Sequence, residues 1–212
     1  LASRDLGWPA KTLDTACATL EAHGDHVNAA HARYLSIRRL LLIGRLDDAE
    51  AALAALTPAH LPPVLRAAHA LVVAGIAIRR LQTAAARAAL SDADRAARQA
   101  GIPTLSAEVE RAALVLSAPA ARLISRGEER VLRLDDGEAL FASDALVGDA
   151  CRLAVRQADT VGSLATRPVL FTLARALAEA WPEDVPRDGL IAGAFRTRHP
   201  DETHRVRLRV EI

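Results

Sequence analysis

Pro168-Val169-Leu170-Phe171-Thr172-Leu173-Ala174-Arg175-Ala176-Leu177-Ala178-Glu179-Ala180, then Trp181-Pro182, then Val185-Pro186-Arg187-Asp188-Gly189-Leu190-Ile191, is the stretch on which the fold turns. Pro168 stands where a helix can begin, because the N–H it lacks would have no partner in a first turn. Val169, Leu170, Leu173, Ala174 and Leu177 recur at helical spacing and predict an amphipathic helix over 168–180. Trp181-Pro182 stops it, and Val185-Pro186-Arg187-Asp188 restarts a helix with Leu190, Ile191, Ala194 and Phe195 turned inward.

The chain then runs through Arg196 and Arg198 to Thr203-His204-Arg205-Val206-Arg207-Leu208-Arg209-Val210-Glu211-Ile212. By period alone this tail reads as a half-buried strand, since Val206, Leu208, Val210 and Ile212 alternate with Arg207, Arg209 and Glu211. The other reading is a helix with Leu208 and Ile212 on its core face and Thr203, Val206, Arg207 and Val210 turned outward.

In the order of its parts, this region resembles the winged-helix DNA-binding domain of OmpR/PhoB-type response regulators. Leu164 matches the Leu before that family's first helix. Val185-Pro186-Arg187-Asp188, with Leu190 and Ile191, matches the opening of its second helix, where the family carries Ser-Arg-Glu in place of Pro186-Arg187-Asp188. Phe195 stands for its closing aromatic, and Leu208, Val210 and Ile212 fit its recognition helix. The family sets a small antiparallel sheet ahead of these helices. Arg130-Val131-Leu132-Arg133-Leu134, an Asp135-Asp136-Gly137 turn, Ala139-Leu140-Phe141 and a hairpin from Leu153 to Leu164 are expected to supply it. The resemblance covers residues 128–212 and favours the helix for the tail. No receiver-domain signature precedes it. Ile212 falls inside the recognition helix, so the family's wing is expected beyond it; the absence of Met likewise suggests a longer parent chain. The resemblance implies double-stranded DNA as a partner, read by Arg207 and Arg209 first, then Thr203, Arg205, His204 and Arg198.

The first 125 residues read as helices throughout: Ala10 to Ala22, Val27 to Ile43, Leu46 to Leu56, Pro63 to Arg79, Leu81 to Ala100 and Thr104 to Leu116. They are parted by Gly24, Gly44, a turn at Pro58 to Pro63, and Gly101-Ile102-Pro103. His31-Ala32-Arg33-Tyr34 through Gly44-Arg45-Leu46 to Leu53 resembles one tetratricopeptide repeat, with Gly44 turning the chain, small Ala49 letting two helices approach and Leu53 packing between them. A weaker copy lies at Leu65 to Leu90, where Arg80-Leu81 echoes Arg45-Leu46 at a spacing of about 35 residues. The resemblance implies a protein or peptide partner at the helical region. Ser117 to Gly127 reads as a linker, because strand alternation first appears after it. The fold expected is therefore mainly α: a tetratricopeptide-like domain over 1–120, then a small α+β winged-helix domain over 128–212.

Composition narrows the function classes. The 212 residues are 51% hydrophobic and 25% charged, as in an ordinary globular protein, and only 3% aromatic. Few aromatics mean a core of Ala, Leu, Val and Ile, and disfavour a base-stacking platform for single-stranded nucleic acid. Lys11 is the sole lysine and the formal net charge is +1. Residues 1–120 hold 13 basic and 11 acidic groups, and residues 121–212 hold 14 and 15. Any DNA contact must therefore rest on local placement. Two cysteines, Cys17 and Cys151, make no disulfide framework, and the lack of a long apolar run or a leader points to the cytoplasm and away from membranes.

Chemistry-bearing clusters are weak. His23, His26 and His31 near Cys17 and Asp25 match no metal-ligand spacing. Asp47-Asp48 with Glu50 sits where a helix N-terminus welcomes acid. No Gly-rich phosphate loop or nucleophile elbow occurs. We expect no enzyme, no cofactor and no metal, but a DNA-binding transcriptional regulator, conceivably a homodimer, whose helical region senses an effector or binds a partner. The alternative is a helical-repeat scaffold that binds proteins and no DNA.

Overall fold

A computed structural model describes residues 10–56 and 61–211. The turn expected at Pro58 to Pro63 falls partly, and the core position expected for Ile212 wholly, outside the described residues. The protein is mainly helical, with ten helices and two small antiparallel sheets among the described residues, and it divides into two compact units, Leu1–Ala118 and Pro119–Ile212.

The first unit contains α1 (Ala10–Ala22), α2 (His26–Leu42), α3 (Leu46–Ala54), α4 (Pro63–Arg79), α5 (Thr83–Ala100) and α6 (Pro103–Ser117). Asp25 starts α2 by accepting the Asn28 N–H at 3.1 Å, and Pro63 and Pro103 occupy first-turn positions of α4 and α6. Gly24, Gly44 and Leu81 each end a helix in the left-handed region, with φ of 73°, 79° and 57°. All three turns close with the same two bonds. Gly44 donates to Leu41 and Arg45 to Leu40; Leu81 donates to Ile78 and Gln82 to Ala77; Gly24 donates to Glu21 and Asp25 to Leu20. These are paired caps that use up carbonyls orphaned at a helix end.

Three residues into each following helix stands an alanine, Ala29, Ala49 or Ala86, at 3%, 0% and 0% exposure. The small side chain is what lets the helix lie against its predecessor. Leu81 thus occupies the place of Gly44, 37 residues on, which corrects the expected pairing of Arg80-Leu81 with Arg45-Leu46 at 35. Side-chain likeness suggested that pairing, whereas backbone handedness fixes the turn.

Two cores follow. Tyr34, Ile37 and Leu41 of α2 pack with Ala49 of α3 and Leu65, Val72 and Ile76 of α4. Gly75 permits this approach, since a Cβ there would lie 3.2 Å from Leu41 Cδ1. The second core is an alanine-rich seam in two clusters that share Leu71: Ala67 and Ala70 of α4 meet Ala93, Ala96 and Ala97 of α5 and Val109 of α6, while Ala74 of α4 meets Ala89 and Leu90 of α5. Helices with so little side chain between them approach closely and are held by many backbone-level dispersion contacts.

The second unit opens with a hairpin, β1 (Ala121–Ser125) and β2 (Glu128–Leu132), in the register Ala121↔Leu132 to Ser125↔Glu128. Its two-residue turn, Arg126-Gly127, has both φ values positive, the twist that suits a tight antiparallel pair. The expected linker over 117–127 is thereby corrected: α6 runs to Ser117 and a paired strand fills 121–125. A second correction concerns Asp135-Asp136-Gly137 and Ala139-Leu140-Phe141, expected as a turn and a strand. They form one helix, α7 (Leu134–Phe141). The Asp136 carboxylate accepts the Arg133 N–H at 2.9 Å, and both acids lie in the first turn, where the helix dipole favours negative charge.

A three-stranded sheet follows in the order β3 (Val147–Asp149), β4 (Ala154–Gln157), β5 (Thr160–Ser163). The expected hairpin is here, closed at its base by Leu164 N–H donating to Leu153 at 2.7 Å. The Arg156 guanidinium lies 4.2 Å from the centre of the Phe141 ring, tying the end of α7 to β4. The chain ends in α8 (Pro168–Ala180), α9 (Arg187–Phe195) and α10 (Glu202–Glu211).

Candidate nucleic-acid interface

Three helices build the site. Leu173 of α8, Ile191 of α9 and Leu208 of α10 form a common core, with Val169, Leu190, Ala194 and Phe195 packed against it. Ile191 is wholly buried and Leu208 is 6% exposed. The tail is thus a helix despite its strand-like alternation. A strand would put Val206, Leu208 and Val210 on one face, yet Leu208 is buried while Val206 and Val210 are 49% and 79% exposed.

The described part of α10 is held at two points. At its start Asp201 accepts the His204 N–H at 3.0 Å and the His204 ring Nδ1 lies 2.6 Å from the same carboxylate oxygen. The backbone bond first, and then the ring bond, hold the Asp201 carboxyl below the usual carboxylate range. At Glu211 a second bond holds it: Arg167, just ahead of α8, donates to the Glu211 carbonyl at 2.6 Å.

The residues expected to meet DNA divide into two sets. His204 and Arg205 are engaged within the protein: His204 with Asp201 and beside the Phe195 ring, and Arg205 with Asp188 at 3.5 Å and Glu202 at 3.4 Å. Thr203, Arg207, Arg209 and Arg198 are exposed. The Arg207 guanidinium lies 4.8 Å from the centre of the Phe195 ring. Among the described residues no carboxylate pairs with Arg196, Arg198, Arg207 or Arg209.

At about 100° per residue, Val206 and Val210 fall on either side of the direction opposite Leu208, with Arg207 and Arg209 about 80° to the two flanks of that direction. The centre of the outward face is therefore apolar and its edges are cationic. Sequence reading turned both valines outward but gave them no part in the site, because it looked for charge; the helical wheel anchored on Leu208 would have found them.

The first unit holds a different feature, an open groove of about 420 Å³ between α3, α4 and α5 lined chiefly by Leu53, Leu56, Val73, Ile76 and Ala77, with Glu50, His69 and Gln82 among its polar groups. Behind it Tyr34 Oη meets His69 Nδ1 at 3.2 Å. Burial pushes the Tyr34 hydroxyl up and the His69 ring down, each toward its neutral form. Glu50 takes a two-pronged bond from Arg80, at 2.8 and 2.7 Å, which holds its carboxyl low; Arg80 also bonds Asp47, and Arg45 bonds Asp48 at 2.6 Å. Asp47 and Glu50 thus serve the junction of α3 with α4, while Asp48 serves the start of α3.

The histidines near Cys17 do not converge. His23 bonds the Thr19 carbonyl, His26 and His31 are exposed, Asp25 is a helix cap, and Cys17 Sγ lies 3.5 Å from the Ala29 carbonyl. Among the described residues no group of three or more His, Cys, Asp and Glu is placed to hold a metal ion, and no helix is long and apolar enough to cross a membrane. Compared with family models, curated proteins and solved structures, the chain gave no match.

Proposed function

We propose that the protein is a cytoplasmic DNA-binding transcriptional regulator in which α10 enters the major groove of duplex DNA and the first unit, a tetratricopeptide-like array, receives a protein, peptide or effector. One observation carries this reading: a helix seated on a three-helix core turns outward a face whose flanking arginines have no carboxylate partner among the described residues. Guanidinium groups without a carboxylate on such a helix suit phosphates and guanine edges. The winged-helix resemblance of residues 128–212 agrees with the same role for α10.

Titration of the full-length protein against fluorescent duplex DNA over a salt series tests the reading. Affinity should fall as salt rises, through release of condensed counterions, and Arg209→Ala should make the salt slope shallower by about 1 if that side chain holds a phosphate. Absent or salt-independent binding would remove the regulator reading.

A scaffold without DNA binding is the second reading, and the apolar groove between α3, α4 and α5 favours it. Loss of duplex binding together with retention of a peptide at that groove would select it.

A further inference from the structure

We infer that α10 reads thymine: Val206 and Val210 meet thymine 5-methyl groups in the floor of the major groove while Arg207 and Arg209 straddle its walls. This rests on the DNA-binding reading of α10 and adds what that helix recognises.

The two valines are 49% and 79% exposed on a helix whose opposite face is buried at Leu208. A helix seated in the major groove points the side of its axis opposite its own core at the base edges, so the valines and not the arginines lie deepest. Neither valine can accept or donate a hydrogen bond, and the one apolar group on the floor of the major groove is the thymine methyl. Adenine, guanine and cytosine carry no methyl there, and a valine pressed on their donors and acceptors would strip water without replacing it.

The occupant is fixed as nucleic acid by charge. An apolar centre alone would equally suit a second copy of this chain, but Arg207 and Arg209 on the two flanks, and Arg196 and Arg198 in the connection from α9, have no carboxylate partner among the described residues. A copy of the same face would bring these cations together. The anionic walls of a groove neutralise them.

Duplexes enriched from a randomised 20-base-pair pool by the full-length protein provide the probe, resynthesised with deoxyuridine in place of thymidine. Uracil keeps every hydrogen-bonding group of thymine and lacks only the methyl. Affinity for the uracil duplex should fall roughly four-fold per methyl contacted. In a Val206→Ala, Val210→Ala variant, shown to be folded by its melting curve, the thymine-to-uracil ratio should collapse toward one. Equal binding of the two duplexes by the unaltered protein, still weakened by salt, would overturn the thymine inference and leave the DNA reading standing. A ratio that survives in the double variant would also overturn it, as would a change of oligomeric state in that variant with no thymine preference in the parent. Failure to enrich any duplex at low salt would overturn both.

Discussion

The two units hold similar numbers of charged groups, and the first unit's ion pairs contrast with one stretch of the second. In the first, Arg33 pairs with Glu21, Arg38 with Glu108, Arg45 with Asp48, Arg80 with Asp47 and Glu50, and Arg98 with Asp94. From the end of α9 through α10, Arg196, Arg198, Arg207 and Arg209 meet no carboxylate among the described residues. Exposed pairs of the first kind add little to stability, but each guanidinium so paired has its charge answered locally. Net charge hides this difference, because it counts groups without asking whether each is already answered.

The largest effect tests whether the α10 face is held by its core. Leu208→Ala should cost the second unit roughly 2–5 kcal/mol, whereas Arg207→Ala should change folding by no more than about 0.5 kcal/mol. Chemical denaturation of both variants checks this, and a large loss from the arginine would mean it belongs to the fold and not to the exposed face.

Next comes the helix contact of the first unit. Ala49 has no exposed surface, so Ala49→Leu should overpack α3 against its neighbours and cost roughly 1–3 kcal/mol, read as a lower melting temperature. Unchanged melting would break the equivalence of Ala29, Ala49 and Ala86.

A smaller effect depends on pH. Burial depresses the His69 pKa relative to the unfolded chain, so its contribution is present above the unfolded value, about 6.5, and is lost as pH falls through the folded value. The first unit should therefore be less stable at pH 5 than at pH 7, and His69→Gln should flatten that difference in denaturation midpoints.

The smallest sharpens the second unit. Asp201 has a lowered pKa, so its capping of α10 is fully present above about 4, the unfolded value, and fades as pH falls below it. Asp201→Asn, which keeps a capping oxygen, should weaken that acid dependence and leave neutral-pH melting close to the parent's.

How much was legible in the sequence depended on which signal each segment carries. The helices of the first unit, and α8 and α9, were readable within a few residues, because apolar spacing and Pro or Gly punctuation agree there. Strand β1 was hidden: Ala121–Ser125 is nearly all exposed, so it lacks the alternation of a half-buried strand and is made by pairing with β2. Asp135-Asp136-Gly137 is ambiguous by nature, since acids that favour turns also favour the first turn of a helix. For α10 the period points to strand and the order of parts to helix, and the burial of Leu208 against Ile191 and Leu173 agrees with the helix. At the site, the charged residues could be named from sequence, but their engagement could not. Arg205 and Arg207 are two residues apart, and one is tied to Asp188 and Glu202 while the other rests on an aromatic face.

The alanine seam between α4 and α5 has a mechanical consequence. Alanine has no rotamer to lose, so that part of the seam forms at little side-chain entropy cost. Whatever adjustment side chains can make between α4 and α5 is left to Leu71, Val73 and Leu90, the few longer residues beside the alanines. Where alanine faces alanine, a change of spacing has to come from the helix backbones themselves, as in the shear motion of packed elements.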